Sequence, residues 1–287
     1  MIEPRIETSR GLHFTYWFIY IFHMPMFAFL SGLFLKSGEQ CRKQGLRLLK
    51  LCGIFQLVVV FATFGKQNPL IPNWYLWYLL SSGIWMLLGW LWFKYGKEYL
   101  KIPVLVCAVI LGCSVGYLPW INKVLSLSRT IVFFPYFFVG ILCDPEKLQK
   151  KTGWPFALLL LPLFVLATYW WRKVPVSFLY QADPYGEIGY GWLHRLIAYA
   201  MGAGISWAIL CCVPGRRFWF SKLGGDTMLP YLIHGPLVLV LWKIPMPWYL
   251  LPGMAFVLIL FIYQGSGLFY KLYGITTLAS RKRKGGG

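Results

Sequence analysis

The sequence predicts an all-α polytopic transmembrane helix bundle, on three observations. Of its 287 residues 58% are hydrophobic, 19% aromatic and only 13% charged, where a soluble domain is about 45–50% apolar and about 25% charged. The apolar residues gather into nine runs, each close to the length a tilted helix needs to cross a bilayer. Lysine and arginine alternate between rich and poor connecting segments, as they do when successive connections lie on opposite sides of a membrane.

In chain order the runs span 12–35, 46–64, 74–93, 102–118, 128–143, 154–171, 192–213, 227–243 and 248–263. The first holds His23 and Pro25 near its middle. The third begins at Trp74 and Trp77, the short fifth opens on Arg129, and the sixth closes on Trp170 and Trp171. Arg195 falls in the first turn of the seventh, and Pro230 and Pro236 break the eighth around His234. Tryptophans at run ends, Trp242 and Trp248 included, read as an interfacial aromatic belt. No repeat is present and no connection is long enough for a second domain, so 1–287 reads as one integral-membrane domain.

The segments after the first, third, fifth, seventh and ninth runs hold nineteen of the 28 Lys and Arg residues, and the opposite side holds nine. This places the C-terminus inside, with 278–287 a basic cytoplasmic tail resting on anionic headgroups. It also places the N-terminus outside, together with Glu3, Arg5, Glu7 and Arg10 and no signal peptide. An upstream helix, giving ten with both ends inside, removes that conflict. The net charge of +19 is thus accounted for by topology, and nucleic acid is not an expected partner. The seven cysteines show no metal-ligand spacing and read as packing residues, so no metal is expected. The longest outer connection, about 172–191, carries Asp183 and Glu187 and reads as a lid or substrate-facing loop.

Ionisable groups at membrane depth are expensive to keep there and are functional candidates for that reason. His23 and His234 each follow a tyrosine by three residues, Tyr20 and Tyr231, so each helix presents a Tyr and a His on one face. The first stripe continues through Tyr16, Phe27 and Ser31. Pro25 and Pro236 free the carbonyls of Ile21 and Leu232, which is tolerated where a helix lines a polar cavity. A neutral imidazole there can act as general base toward a hydroxyl or bind an acyl carbonyl; equally, each His can serve as an interhelical hydrogen-bonding group. Arg129 and Arg195 can clamp an anionic or polyhydroxylated substrate, or snorkel to the interface. There is no Walker A, GxGxxG, HExxH or GxSxG motif, so ATP-driven transport and soluble-type hydrolysis have no support.

Four stretches carry a family resemblance: Phe22-His23-Met24-Pro25 followed by Ser31-Gly32, Trp74-Tyr75-Leu76-Trp77-Tyr78, Arg129-Thr130 leading to Pro135 and Gly140, and Tyr231-Leu232-Ile233-His234-Gly235. In order and content the chain resembles the membrane-bound acyltransferase-3 family, and most of all its fucose 4-O-acetylase-like branch. The resemblance implies a ten-helix bundle in a bacterial plasma membrane. It would take an acyl group, usually acetyl, from cytoplasmic acetyl-CoA and pass it to a hydroxyl of a glycan or other sugar acceptor. The family's first helix, which carries an Arg and a His central to transfer, has no counterpart here.

The leading expectation is therefore an O-acyltransferase. His23 and His234 are its catalytic residues, Arg129, Arg195, Tyr20 and Tyr231 bind substrate, and Arg42, Lys43 and Arg47 draw in the phosphates of the acyl-CoA donor. Membrane lipids, the acyl-CoA and the glycan are the expected partners. A transporter or flippase for a polar or lipid-linked sugar, and a degenerate, non-catalytic acyltransferase, are the competing readings.

Overall fold

The computed structural model describes residues 10–66, 68–121, 124–151, 155, 158, 160–213, 228–241, 253–254 and 257–258. These residues are mostly helical with no strand among them, and five helices are long and apolar enough to cross a membrane: His13–Leu33, Gly38–Phe61, Glu98–Tyr117, Val124–Leu142 and Trp192–Cys212. The chain is thus a polytopic helical membrane protein. Its elements are α1 Arg10–Leu33, α2 Gly38–Ala62, α3 Trp77–Tyr95, α4 Lys101–Ser114, α5 Leu127–Leu142, α6 Pro145–Lys151, α7 Leu160–Trp171, α8 Val176–Leu179, α9 Tyr185–Ile188, α10 Trp192–Cys212 and α11 Met228–Leu241. The run at 248–263 and the tail 278–287 lie outside the described residues, as do Arg216, Arg217 and Lys222. The chain divides into two compact units, Met1–Pro214 and Gly215–Gly287. The first holds α1 to α10 and the second holds α11.

Several boundaries differ from the apolar runs, because hydropathy marks what lipid can cover and not where hydrogen bonding begins. The clearest case is α2, which starts at Gly38 and not near residue 46. Ser37 caps it, accepting the amide of Gln40 at 3.3 Å, and Glu39 lies in the positive first turn. Arg42, Lys43, Arg47 and Lys50 therefore stand on a helix and not in a connecting segment.

Within the first unit α1 is the central element. Apolar side chains gain little by leaving lipid for protein, so helices in a membrane pack closest where side chains are smallest. At the α1–α5 crossing a Cβ on Gly140 would stand 2.9 Å from the Leu33 amide nitrogen and 3.1 Å from Gly32 Cα. Gly202 brings α10 against α1 at Pro25, where a Cβ would lie 2.9 Å from the Ile21 oxygen and 3.1 Å from Pro25 Cγ. Ser206 donates to the Phe22 carbonyl at 3.3 Å just beyond. The antiparallel pairing of α2 with α3 follows from Gly38 facing Phe93, Gly45 facing Gly83 and Cys52 facing Leu76. Aromatic contacts join α1 to α7: Phe14 to Phe164 at 5.4 Å and Trp17 to Trp170 at 5.8 Å.

One expectation takes form here and another is corrected. The 172–191 connection, read as a lid or substrate-facing loop, does not stand open: Val174, Val176, Phe178, Leu179, Gln181 and Tyr185 are all buried. It is tied down by Trp17 Nε1 donating to the Val174 carbonyl at 2.8 Å and by Ser128 Oγ donating to the Gln181 carbonyl at 2.8 Å. The Tyr185 hydroxyl adds a bond to the Cys113 carbonyl at 2.8 Å. Nor is the tryptophan set simply a belt. Trp77 and Trp170 are buried like Trp17 and Trp85, and only Trp74 of the described pair at the start of the third run is exposed. Trp85 spans two helices by donating Nε1–H to the Thr130 carbonyl at 2.7 Å. Trp242 and Trp248 lie outside the described residues.

Candidate active site

The α1 stripe forms as its spacing requires. The tilted rings of Tyr16 and Tyr20 lie 4.6 Å apart, Tyr20 meets His23 edge to face at 4.7 Å, and His23 meets Phe27 at 6.4 Å. Ser31 Oγ closes the stripe on the Tyr78 hydroxyl of α3 at 2.7 Å. His23 lies ten residues from the end of α1 at Leu33, hence about 15 Å along the axis. Its Nδ1 is 2.8 Å from the Ile19 carbonyl oxygen. A carbonyl can only accept, so Nδ1 carries the proton and a neutral imidazole keeps its lone pair on Nε2.

Arg129 sits in the first turn of α5 beyond two left-handed residues, Leu125 (φ 49°) and Ser126 (φ 51°). Left-handed backbone is unfavourable for side chains of this kind. The Leu125 amide is held by the Leu70 carbonyl at 2.8 Å, which fixes the turn. Arg129 Nε donates to the Tyr180 carbonyl at 2.9 Å, and its guanidinium lies 4.8 Å above the Trp77 ring. Tyr180 in turn packs on Tyr20 at 5.0 Å and shares a hydrogen bond with the Tyr16 hydroxyl at 3.0 Å. Asp183 is near enough for its charge to act on Arg129. Arg129 is thus held by aromatic rings and backbone, not stretched toward an interface.

Arg195 is only 1% exposed, so it does not snorkel. Its Nη1 makes one long bond, 3.4 Å to the Gly112 carbonyl. Its guanidinium lies 4.9 Å from the Tyr185 ring and 5.6 Å from that of Phe178. Such ring contacts are worth about 2 kcal/mol when desolvated, against a penalty of several kcal/mol for burying the ion. Arg195 lines a recess of about 280 Å³, open toward its mouth, with Tyr20, Pro25, Tyr136, Gln181 and Tyr199. Its innermost part has room for a water or two.

Tyr20, His23, Arg129 and Arg195 therefore gather around α1, with Tyr20 reaching both His23 and the cavity. His23 does not itself line that cavity. In the second unit His234 Nδ1 hydrogen-bonds the Tyr231 carbonyl, giving the same proton placement as in His23, and the two rings lie 5.3 Å apart. Arg42, Lys43 and Arg47 are exposed. Arg42 and Lys43 share Glu39 at 3.6 Å and 3.3 Å, ion pairs worth little at a surface. Sequence reasoning missed Tyr180, Gln181 and Tyr185. Their one signal is the apolar stretch Val174-Pro175-Val176-Ser177-Phe178-Leu179, out of place in a solvated loop.

A family model described as an acyltransferase domain matches residues 3–271. No curated protein and no solved structure matches the chain.

Proposed function

The chain belongs to the acyltransferase-3 family, and on that premise we propose that it transfers an acetyl group from cytoplasmic acetyl-CoA to a hydroxyl of a cell-surface or exported glycan. In this reading it sits in a bacterial plasma membrane and falls in the fucose 4-O-acetylase-like branch. The observation that supports the chemistry best is the proton placement in His23, whose Nδ1 is spoken for by the Ile19 carbonyl at 2.8 Å. Nε2 then takes the proton of the acceptor hydroxyl as its oxygen attacks the thioester carbonyl. Collapse of the tetrahedral intermediate expels the thiolate, which receives that proton from Nε2, leaving an ester and a free thiol.

Tyr20 holds the His23 ring edge to face, and Arg129, fixed by Tyr180 and Trp77, positions the acceptor. Arg195 binds the acceptor from the cavity side. Exposed Arg42, Lys43 and Arg47 at the start of α2 draw in the donor phosphates, a role their open positions suit. In the second unit, taken by itself, Tyr231 is read as substrate-binding and His234 as a catalytic histidine.

The test compares His23→Ala and His23→Gln with the unaltered protein in a strain lacking the gene, following labelled acetyl incorporation into surface glycan. Loss of a general base lowers transfer by about a hundredfold or more, with insertion and abundance unchanged. Parallel loss of abundance and activity assigns His23 to packing instead.

A further inference from the structure

We propose that Arg195 and the cavity it lines form an oxyanion site, and that the acceptor carries a carboxylate or phosphate group which binds there. Nε and Nη2 of Arg195 are buried and have no hydrogen-bond partner, while Nη1 is already used by Gly112. The two free N–H groups share one edge of the guanidinium plane, the fork that grips a carboxylate or phosphate through two parallel bonds. Among the described residues no carboxylate pairs with Arg195. Tyr185 is not the missing counter-ion, since burial pushes its phenol up to about 12 and keeps it neutral.

Gln181 supports the assignment from the other wall. It lines the same cavity, is 5% exposed, and leaves its side-chain oxygen without a partner. Its backbone is held left-handed at φ 57° by the Ser128 bond to its carbonyl, and a strained residue persists where its surroundings enforce it. The amide presents an NH2 on rotation and can donate to an anion beside Arg195. A neutral sugar hydroxyl would leave half of the arginine fork unused.

The proposal rests on the transferase reading only for calling the ligand an acceptor; binding itself is read without turnover. The full chain, purified into phosphatidylcholine nanodiscs, is melted with sodium glucuronate, sodium phosphate, glucose or sodium chloride at matched ionic strength. Glucuronate or phosphate at saturation should raise the unfolding midpoint by about 2 °C or more, and the arm that responds identifies the anion. Glucose and chloride should not. Arg195→Met should lose the response. Gln181→Glu, which supplies an internal carboxylate, should raise the midpoint and no longer respond, and it serves if Arg195→Met fails to fold. No anion-dependent shift in the unaltered protein, or an equal shift in Gln181→Glu, overturns the site while leaving the transferase reading intact.

Discussion

Gly140→Ala tests whether the α1–α5 crossing holds the His23 helix in place. The added Cβ would overlap the Phe29 carbonyl oxygen outright and stand 2.9 Å from the Leu33 nitrogen and 3.1 Å from Gly32 Cα, where ordinary contact begins at 3.4 Å. The obstructing atoms are backbone, so no rotamer change relieves them. The helices must part by at least half an ångström, and further at Phe29. Overpacking of this kind costs about 1–3 kcal/mol, which for a chain of this size lowers the unfolding midpoint by about 2–4 °C for each kcal/mol. Gly53→Ala is the matched control, because nothing lies within 4 Å of its Cβ position in the interior of α2. It should leave the midpoint unchanged or raise it, by up to about 1 kcal/mol of helix propensity. Tryptophan fluorescence of the purified protein follows both. A Gly140→Ala protein that melts with the unaltered one, while Gly53→Ala behaves as stated, would refute the close crossing.

Arg129→Lys keeps the charge but loses the planar group stacked 4.8 Å above Trp77. Labelled acetyl transfer should fall by about tenfold with protein level unchanged; transfer at the original rate would show that only the charge matters. Alkaline stability isolates Tyr185. Its folded pKa of about 12 lies above the ordinary 10.0, so its contribution is full below pH 10 and is lost as pH rises toward 12. The difference in unfolding midpoint between the unaltered protein and Tyr185→Phe should shrink across that window, and a constant difference would remove the burial argument.

What could be read from the sequence was what depends on local order along the chain. Apolar length marks the spans, and residues three or four apart share a helix face. So α1, α5 and α10 stand within a few residues of their predicted places, and Tyr16, Tyr20, His23, Phe27 and Ser31 form one stripe. The start of α2 at Gly38 was not legible from hydropathy, because its first turns are capped and charged and only the later ones are apolar. The tertiary structure alone decided which faces meet. Arg195 could equally have reached the interface; it is buried because the 172–191 connection just before its helix folds back, bringing Phe178, Gln181 and Tyr185 beside it. Likewise Trp77 left the belt for the core because Arg129 stacks on it from α5, 52 positions along the chain. Such contacts depend on how a connection folds back and on which helices cross, and no periodicity along one helix records which partner will lie against it.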